Sequence, residues 1–177
     1  LPIRIEWIDL PARVERLFLH RSMLEHCVAE QIATFPAKAA VDALLPRLWF
    51  DADWAVAAPM AIAAHSQRDT VLDGLWKYHP APVTAVQYST NAQLNYLLLQ
   101  AAALTLPSDW SPDHQRLIND LRIASAPRPP ALIASTSHWA ESNQQVAAAV
   151  LVALPKAKPF EVGELVAALL TLDPSVA

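Results

Sequence analysis

The sequence predicts an α/β fold: a three-layer sandwich around a central five-stranded parallel sheet, flavodoxin-like in layout, with an N-terminal α/β extension. A sixth strand is the variant of that reading. Three observations carry it. Residues 130–172 run as a short apolar segment ending in hydroxyls, a helical segment, a second apolar segment closed by Lys158-Pro159-Phe160, and an Ala/Leu/Val-rich amphipathic helix. The apolar runs, such as residues 131–134 and 150–154, are continuous rather than alternating, as expected of strands buried on both faces. Prolines punctuate the chain at the ends of these runs.

In order, residues 3–8 alternate as a strand, and Asp9-Leu10-Pro11 supplies a cap and a helix-entry proline. A helix is predicted over 12–27, with Val14, Leu17, Phe18, Met23 and Leu24 on one face and Arg13, Glu15, Arg16, Arg21 and Glu25 opposite. Residues 28–35 fit a strand or a continuation of that helix, and 37–45 a short helix closed by Pro46. Residues 53–59 form an apolar strand stopped by proline, and 60–78 a helix broken at His79-Pro80. Residues 83–88 have strand character, and 95–106 read as the central buried strand. Ser111 caps a helix with Pro112 at its first position, running to Arg122. The organisation expected is an extension over 1–51 and a main domain over 52–177.

Composition narrows function by exclusion. A net charge of −4 over 177 residues gives no electrostatic reason to expect nucleic acid or an anionic membrane as partner. The hydrophobic content of 54% is interrupted by proline and charge before any run reaches the roughly 20 residues of a membrane span. A lone Cys27 excludes an internal disulfide and any cysteine-based metal cluster. The first residue is Leu1, as expected for a piece of a longer chain. Gly74 and Gly163, the two glycines, both in helical contexts, cannot build a loop whose amides cradle a phosphate.

The order from Asp53 to Leu172 resembles a response-regulator receiver domain with its second helix nearly deleted. Receivers carry Ser or Thr at the end of the fourth strand and Lys-Pro at the end of the fifth. Thr136 and Lys158-Pro159 fall there, and 158 − 136 = 22 is the family's common spacing. Where the resemblance implies Mg²⁺-binding carboxylates, this chain has Ala57-Ala58-Pro59. Where it implies the phosphoryl-accepting Asp, it has Gln100-Ala101-Ala102-Ala103, with Ala103 at the lost acceptor position. Methyl groups and amides neither accept a phosphoryl group nor hold a hard cation. A second register takes 3–9, 28–35, 54–58, 83–88 and 103–106 as the five strands. It keeps Asp9 at the acidic corner but puts Ala58 at the acceptor position. The parallel between 82–107 and 130–155 suggests a strand-helix-strand duplication that accommodates both registers.

The resemblance is closest to the inactive receiver of hybrid sensor histidine kinases of the Gac/Bar type. It implies a bacterial, cytoplasmic, non-catalytic regulatory module, including the cytoplasmic part of a membrane-anchored kinase. Such a module is not phosphorylated and acts through contacts with a kinase core, a true receiver or another signalling protein, with homodimerisation as a further expectation. No cofactor and no metal are expected. Trp110 and Trp139, in loops, and Phe160 are the candidate contact residues. Thr136 and Ser135 are expected to satisfy backbone groups, and Lys158 to be structural or solvated. His20 and His26 lack the setting of a phosphorelay histidine. His65, His79, His114 and His138 lack ligand spacing. Ser135, Ser137 and His138 lack an orienting carboxylate. The alternatives are a flavodoxin-like small-ligand domain, with an anion pocket near Thr136, Trp139 and Lys158, and, third, an enzyme on the same fold.

Overall fold

The computed structural model describes residues 21–47, 54–77, 84–126 and 130–173, with side chains from 92 and from 132 onward in the last two stretches. Among them there is no β-strand; the fold is all-α, and the parallel sheet expected from the sequence is corrected by this finding. The helices are α1 (Arg21–Ala33), α2 (Ala37–Leu44), α3 (Ala57–Ala64), α4 (Arg68–Lys77), α5 (Thr84–Ala103), α6 (Pro112–Ser125), α7 (Pro130–Ser135), α8 (Asn143–Ala153) and α9 (Pro159–Leu172). The predicted strands of the main domain fall on α3, α5, α7 and the end of α8. The strand at 3–8 lies outside the described residues.

The physical reason is that a short continuous apolar run does not distinguish a buried strand from a buried helix segment. These runs are rich in alanine, the best helix former and a poor strand residue. Residues 95–106, taken as the central strand, lie largely in a 20-residue helix whose Leu94, Leu97, Leu98, Ala101 and Ala102 are buried at helical spacing. The strand-helix-strand duplication dissolves for the same reason: one of its halves is mostly α5, the other α7, a turn and α8.

Local chemistry sets the helix ends. α1 continues to Ala33, where Thr34 Oγ1 donates to the Gln31 carbonyl at 2.7 Å and Pro36 stops the run. The long helix read over 60–78 is instead broken at His65, which separates α3 from α4. His65 is buried; its Nδ1 accepts the Gln67 amide at 2.9 Å, so Nε2 carries the proton donated to the Phe35 carbonyl at 2.9 Å. One imidazole thereby fixes both the α3–α4 turn and the end of α1. Ser111 caps α6 and Pro112 occupies its first position, as the sequence indicates.

Two apolar cores result. The first gathers Ile32, Leu44, Ile62, Leu72, Leu75, Leu98 and Ile118 of α1–α6 with Trp139 from the α7–α8 connection. The second gathers Ala126, Ile133, Val146, Val150, Leu165, Leu169 and Leu172 among the end of α6 and α7–α9. α1 packs on α3, α2 on α4, α5 on α3, α6 and α7, and α9 on α7 and α8. The boundary expected near residue 51 lies outside the described residues, and α1 and α2 on its N-terminal side share the first core with α3–α6. α2 and α4 approach closely at Gly74, where an added Cβ would lie 2.6 Å from Val41 Cγ2.

Candidate functional site

The positions singled out by the receiver resemblance are helix-end residues. Thr136 follows α7 and is fully buried; its hydroxyl donates to the Ile133 carbonyl at 2.9 Å. Ser135 Oγ does the same toward Leu132 at 2.8 Å. Both hydroxyls thus satisfy carbonyls that a helix end leaves open. Lys158 precedes α9 and Pro159 is its first residue. The Lys158 amide donates to Glu161 Oε2 at 2.8 Å, the carboxylate half of a capping box. The Lys158 ammonium lies 5.7 Å from the Phe160 ring centroid. Ala103 is the last residue of α5.

Trp110 and Trp139 are core residues and offer no exposed ring to a partner. The Trp110 indole N–H donates to Thr105 Oγ1 at 2.8 Å, and that of Trp139 to the Ala102 carbonyl at 3.1 Å. Phe160 is 75% exposed. With Thr136 and Trp139 packed inside, the anion pocket expected beside them is not formed by these side chains. An open groove of about 290 Å³ lies instead between α2 and α4, lined by Lys38, Val41, Thr70, Asp73, Gly74 and Lys77.

Arg122 is the polar centre of the α6–α8 junction. It lies one helical turn beyond Ile118 on the buried face of α6 and is 0% exposed. Its Nη1 donates to the Trp139 carbonyl and to Ser142 Oγ at 2.6 Å, and its Nη2 to Asn143 Oδ1 at 2.7 Å; Nε is buried without a partner. Ser142 Oγ donates onward to Asn119 Oδ1 at 3.0 Å, and Asn119 to Glu141 at 3.0 Å. Burial lowers the guanidinium to about 10, which leaves it charged at neutral pH. A cation whose hydrogen-bond acceptors are all neutral fixes the loop between α7 and α8 against α6.

A second polar cluster joins α4 to the start of α6. His114 Nδ1 lies 2.9 Å from Ser111 Oγ and 3.4 Å from Asp69 Oδ1, and Nε2 lies 3.2 Å from Asp73 Oδ1. The order Ser, His, Asp has the connectivity of a hydrolytic relay, but Ser111 Oγ also accepts the His114 amide at 3.4 Å as the cap of α6. Asp69 Oδ2 accepts the Ser111 amide at 3.0 Å, and Arg68 donates to the Asp109 carbonyl at 2.8 Å with its guanidinium 5.9 Å from the Trp110 ring centroid. These contacts hold the α5–α6 connection onto α4, while Asp69 Oδ1 is buried without a hydrogen-bond partner. Among the described residues no three His, Cys, Asp or Glu side chains converge as metal ligands, and no helix is long and apolar enough to cross a membrane.

Among the described residues Met23, Leu24, Val56, Tyr96, Leu104 and Leu106 are exposed apolar side chains, and the outer face of α9 carries a further group of them on one helix. Leu165, Ala168, Leu169 and Leu172 are buried against α7 and α8, while Val162, Val166, Leu170 and Phe160 are exposed. Projected at about 100° per residue, the exposed arc from Val162 through Val166, Leu170, Gly163 and Ala167 to Phe160 spans about 160° without one charged side chain. Of the helix's carboxylates, Glu164 lies about 40° beyond the Phe160 edge of that arc and Glu161 on the opposite side, about 100° from either edge. Leu151 and Val152, at the end of α8, are exposed as well. The sequence signal was present in the run of residues 159–172, whose inner and outer positions are equally apolar. No protein-family model, no curated protein and no solved structure matches the chain.

Proposed function

We propose that the chain is a non-catalytic regulatory module that acts through protein–protein contacts, and that the outer face of α9 is its contact surface. The observation that carries this reading is that α9 is apolar on both sides while only one side is covered. A helix hydrophobic all round belongs in an interior, and exposed contiguous apolar surface on a folded domain marks an interaction site. The reading needs a rigid helix with an unpartnered face and does not depend on a receiver sheet. The polar clusters around Arg122 and His114 support it indirectly, since most of their hydrogen bonds join one helix or loop to another.

The test is site-specific photo-crosslinking in the native host, with a benzophenone amino acid at Val166, at Leu170 and, as a control on the other core, at exposed Glu30 of α1. A discrete, reproducible protein adduct from positions 166 and 170, absent from 30, is expected. Adducts at none of these positions, or equally at all three, would overturn the reading.

A further inference from the structure

We infer that His114 is a proton-operated clip between α4 and the start of α6: the imidazolium joins two carboxylates of α4, and the neutral ring lets one of them go. This clip is separate from the α9 surface. Asp69 and Asp73 stand one turn apart on α4, and the buried imidazole lies between them, with Nδ1 3.4 Å from Asp69 Oδ1 and Nε2 3.2 Å from Asp73 Oδ1. Ionised carboxylates only accept, and a neutral imidazole has one N–H, so neither tautomer serves both. With the proton on Nε2, Asp73 is satisfied, Nδ1 takes the Ser111 hydroxyl at 2.9 Å, and a ring lone pair is left toward Asp69 Oδ1. With the proton on Nδ1, the lone pair is left toward Asp73. Only the doubly protonated ring donates on both sides. The same shortage shows at Asp69: Oδ2 accepts the Ser111 amide at 3.0 Å, whereas Oδ1 is buried without a hydrogen-bond partner. His65 is the contrast, since one neutral tautomer satisfies both the Gln67 amide and the Phe35 carbonyl.

The other charged groups near the ring have uses of their own. On α4, Arg68 donates to the Asp109 carbonyl at 2.8 Å and lies 3.8 Å from the Asp109 carboxylate, and Lys77 lines the α2–α4 groove beside Asp73. In the α5–α6 connection, Asp109 Oδ2 accepts the Leu106 amide at 2.8 Å, and the Trp110 ring centroid lies 6.1 Å from that of His114. On α6 itself, Asp113 and Arg116 approach each other at 3.6 Å on the exposed side, and α5 carries no charged residue. The carboxylates that face the imidazole are therefore Asp69 and Asp73. A second ring proton turns both contacts into charge-assisted ones and draws the α5–α6 connection tighter onto α4. Stabilisation of this sign is present in acid and fades as the pH rises and the ring loses that proton.

Histidine ring ¹⁵N shifts of the full chain, followed from about pH 5 to about pH 9, test this on the wild type alone. His114 is expected to keep imidazolium shifts at both nitrogens to a higher pH than exposed His26. Asp69→Asn combined with Asp73→Asn is expected to abolish that difference. Urea unfolding gives a second readout. The folding constant of the wild type relative to His114→Gln is expected to be several-fold larger at about pH 5.5 than at about pH 8.5. In the double asparagine background that advantage should lose its pH dependence. A histidine with a merely structural role would show neither effect. His114 giving up its second proton together with His26 or at lower pH, or an advantage over His114→Gln that does not change with pH, would overturn the inference.

Discussion

Replacing either glycine by alanine is one chemical change in two surroundings, and the structure gives the two changes opposite signs. Both residues lie inside helices, Gly74 in α4 and Gly163 in α9, so each substitution gains about 0.8–1 kcal/mol of helix propensity. At Gly163 the new methyl meets nothing within 4 Å and the gain stands. At Gly74 it would lie 2.6 Å from Val41 Cγ2, about 1 Å inside the separation of carbons in contact. Val41 is buried in α2 and, being β-branched on a helix, has essentially one rotamer, so it cannot swing aside. Overpacking of this kind costs about 1–3 kcal/mol. Gly74→Ala is therefore expected to destabilise by about 1 kcal/mol net, and Gly163→Ala to stabilise by a little under 1 kcal/mol. Urea unfolding followed by circular dichroism, at protein concentrations low enough to exclude association, measures both. Val41→Ala combined with Gly74→Ala closes a double-mutant cycle in which the second substitution should recover its propensity gain. If Gly74→Ala stabilises as much as Gly163→Ala, the close approach of α2 and α4 does not exist and the reasoning fails.

Arg122→Met leaves the Trp139 carbonyl and Asn143 Oδ1 without their donor and Ser142 Oγ with its bond to Asn119 alone, and urea unfolding should show a loss of about 2–4 kcal/mol; a neutral substitution would refute the clamp. Because burial lowers this guanidinium to about 10 in the native state, below its ordinary value in the unfolded chain, the unfolded chain binds more protons above that pH. Wild-type stability relative to Arg122→Met should therefore be flat from pH 7 to 9 and rise above about pH 10, and a relative fall there would contradict the sign. Ser111→Ala should cost about 1 kcal/mol through loss of the α6 cap, and a fluorophosphonate probe should leave Ser111 unlabelled; stoichiometric labelling would establish a working Ser-His-Asp relay instead. Incubation with a small phosphodonor and Mg²⁺, read by intact mass, should add no phosphate, and a stable adduct would show an acceptor that the alanines at 57, 58 and 103 do not provide.

Much of the helix content was legible, and the errors share one cause. Ser111-Pro112 announced α6, Pro46 closed the region of α2, and the amphipathic run after Lys158 gave the body of α9. Pro159, taken as a strand end, is a helix start, and Pro59, also taken as one, lies in the first turn of α3. Like Pro112 and Pro130, Pro159 occupies the first position of a helix, where a missing amide costs nothing. Lys158-Pro159-Phe160-Glu161 contained the fuller signal, proline at the first position and glutamate at the third, and it was masked by the receiver spacing to Thr136. Leu106-Pro107-Ser108-Asp109 repeats it, with Asp109 Oδ2 accepting the Leu106 amide at 2.8 Å. The scarcity of glycine, used to exclude a phosphate loop, equally disfavoured the tight turns of a sheet. Burial of Arg122 could be read only from its phase with Ile118 and Ala126, since nothing about an isolated arginine marks it as internal. Trp110 and Trp139 went the other way: loop position suggested exposure, but both loops fold their indoles onto α5 carbonyls or hydroxyls nearby.

Everything assigned to α9 depends on the segments read as strands being helices, so the most direct measurement is the backbone ¹³C chemical shifts of the full chain in solution. Unbroken helical shifts are expected across residues 84–103, 143–153 and 159–172, with the amides of Leu165 and Leu169 protected from exchange as core positions. Extended shifts across 95–106 and 150–154 would restore a sheet, remove the two-sided apolar helix, and contradict the account at its base.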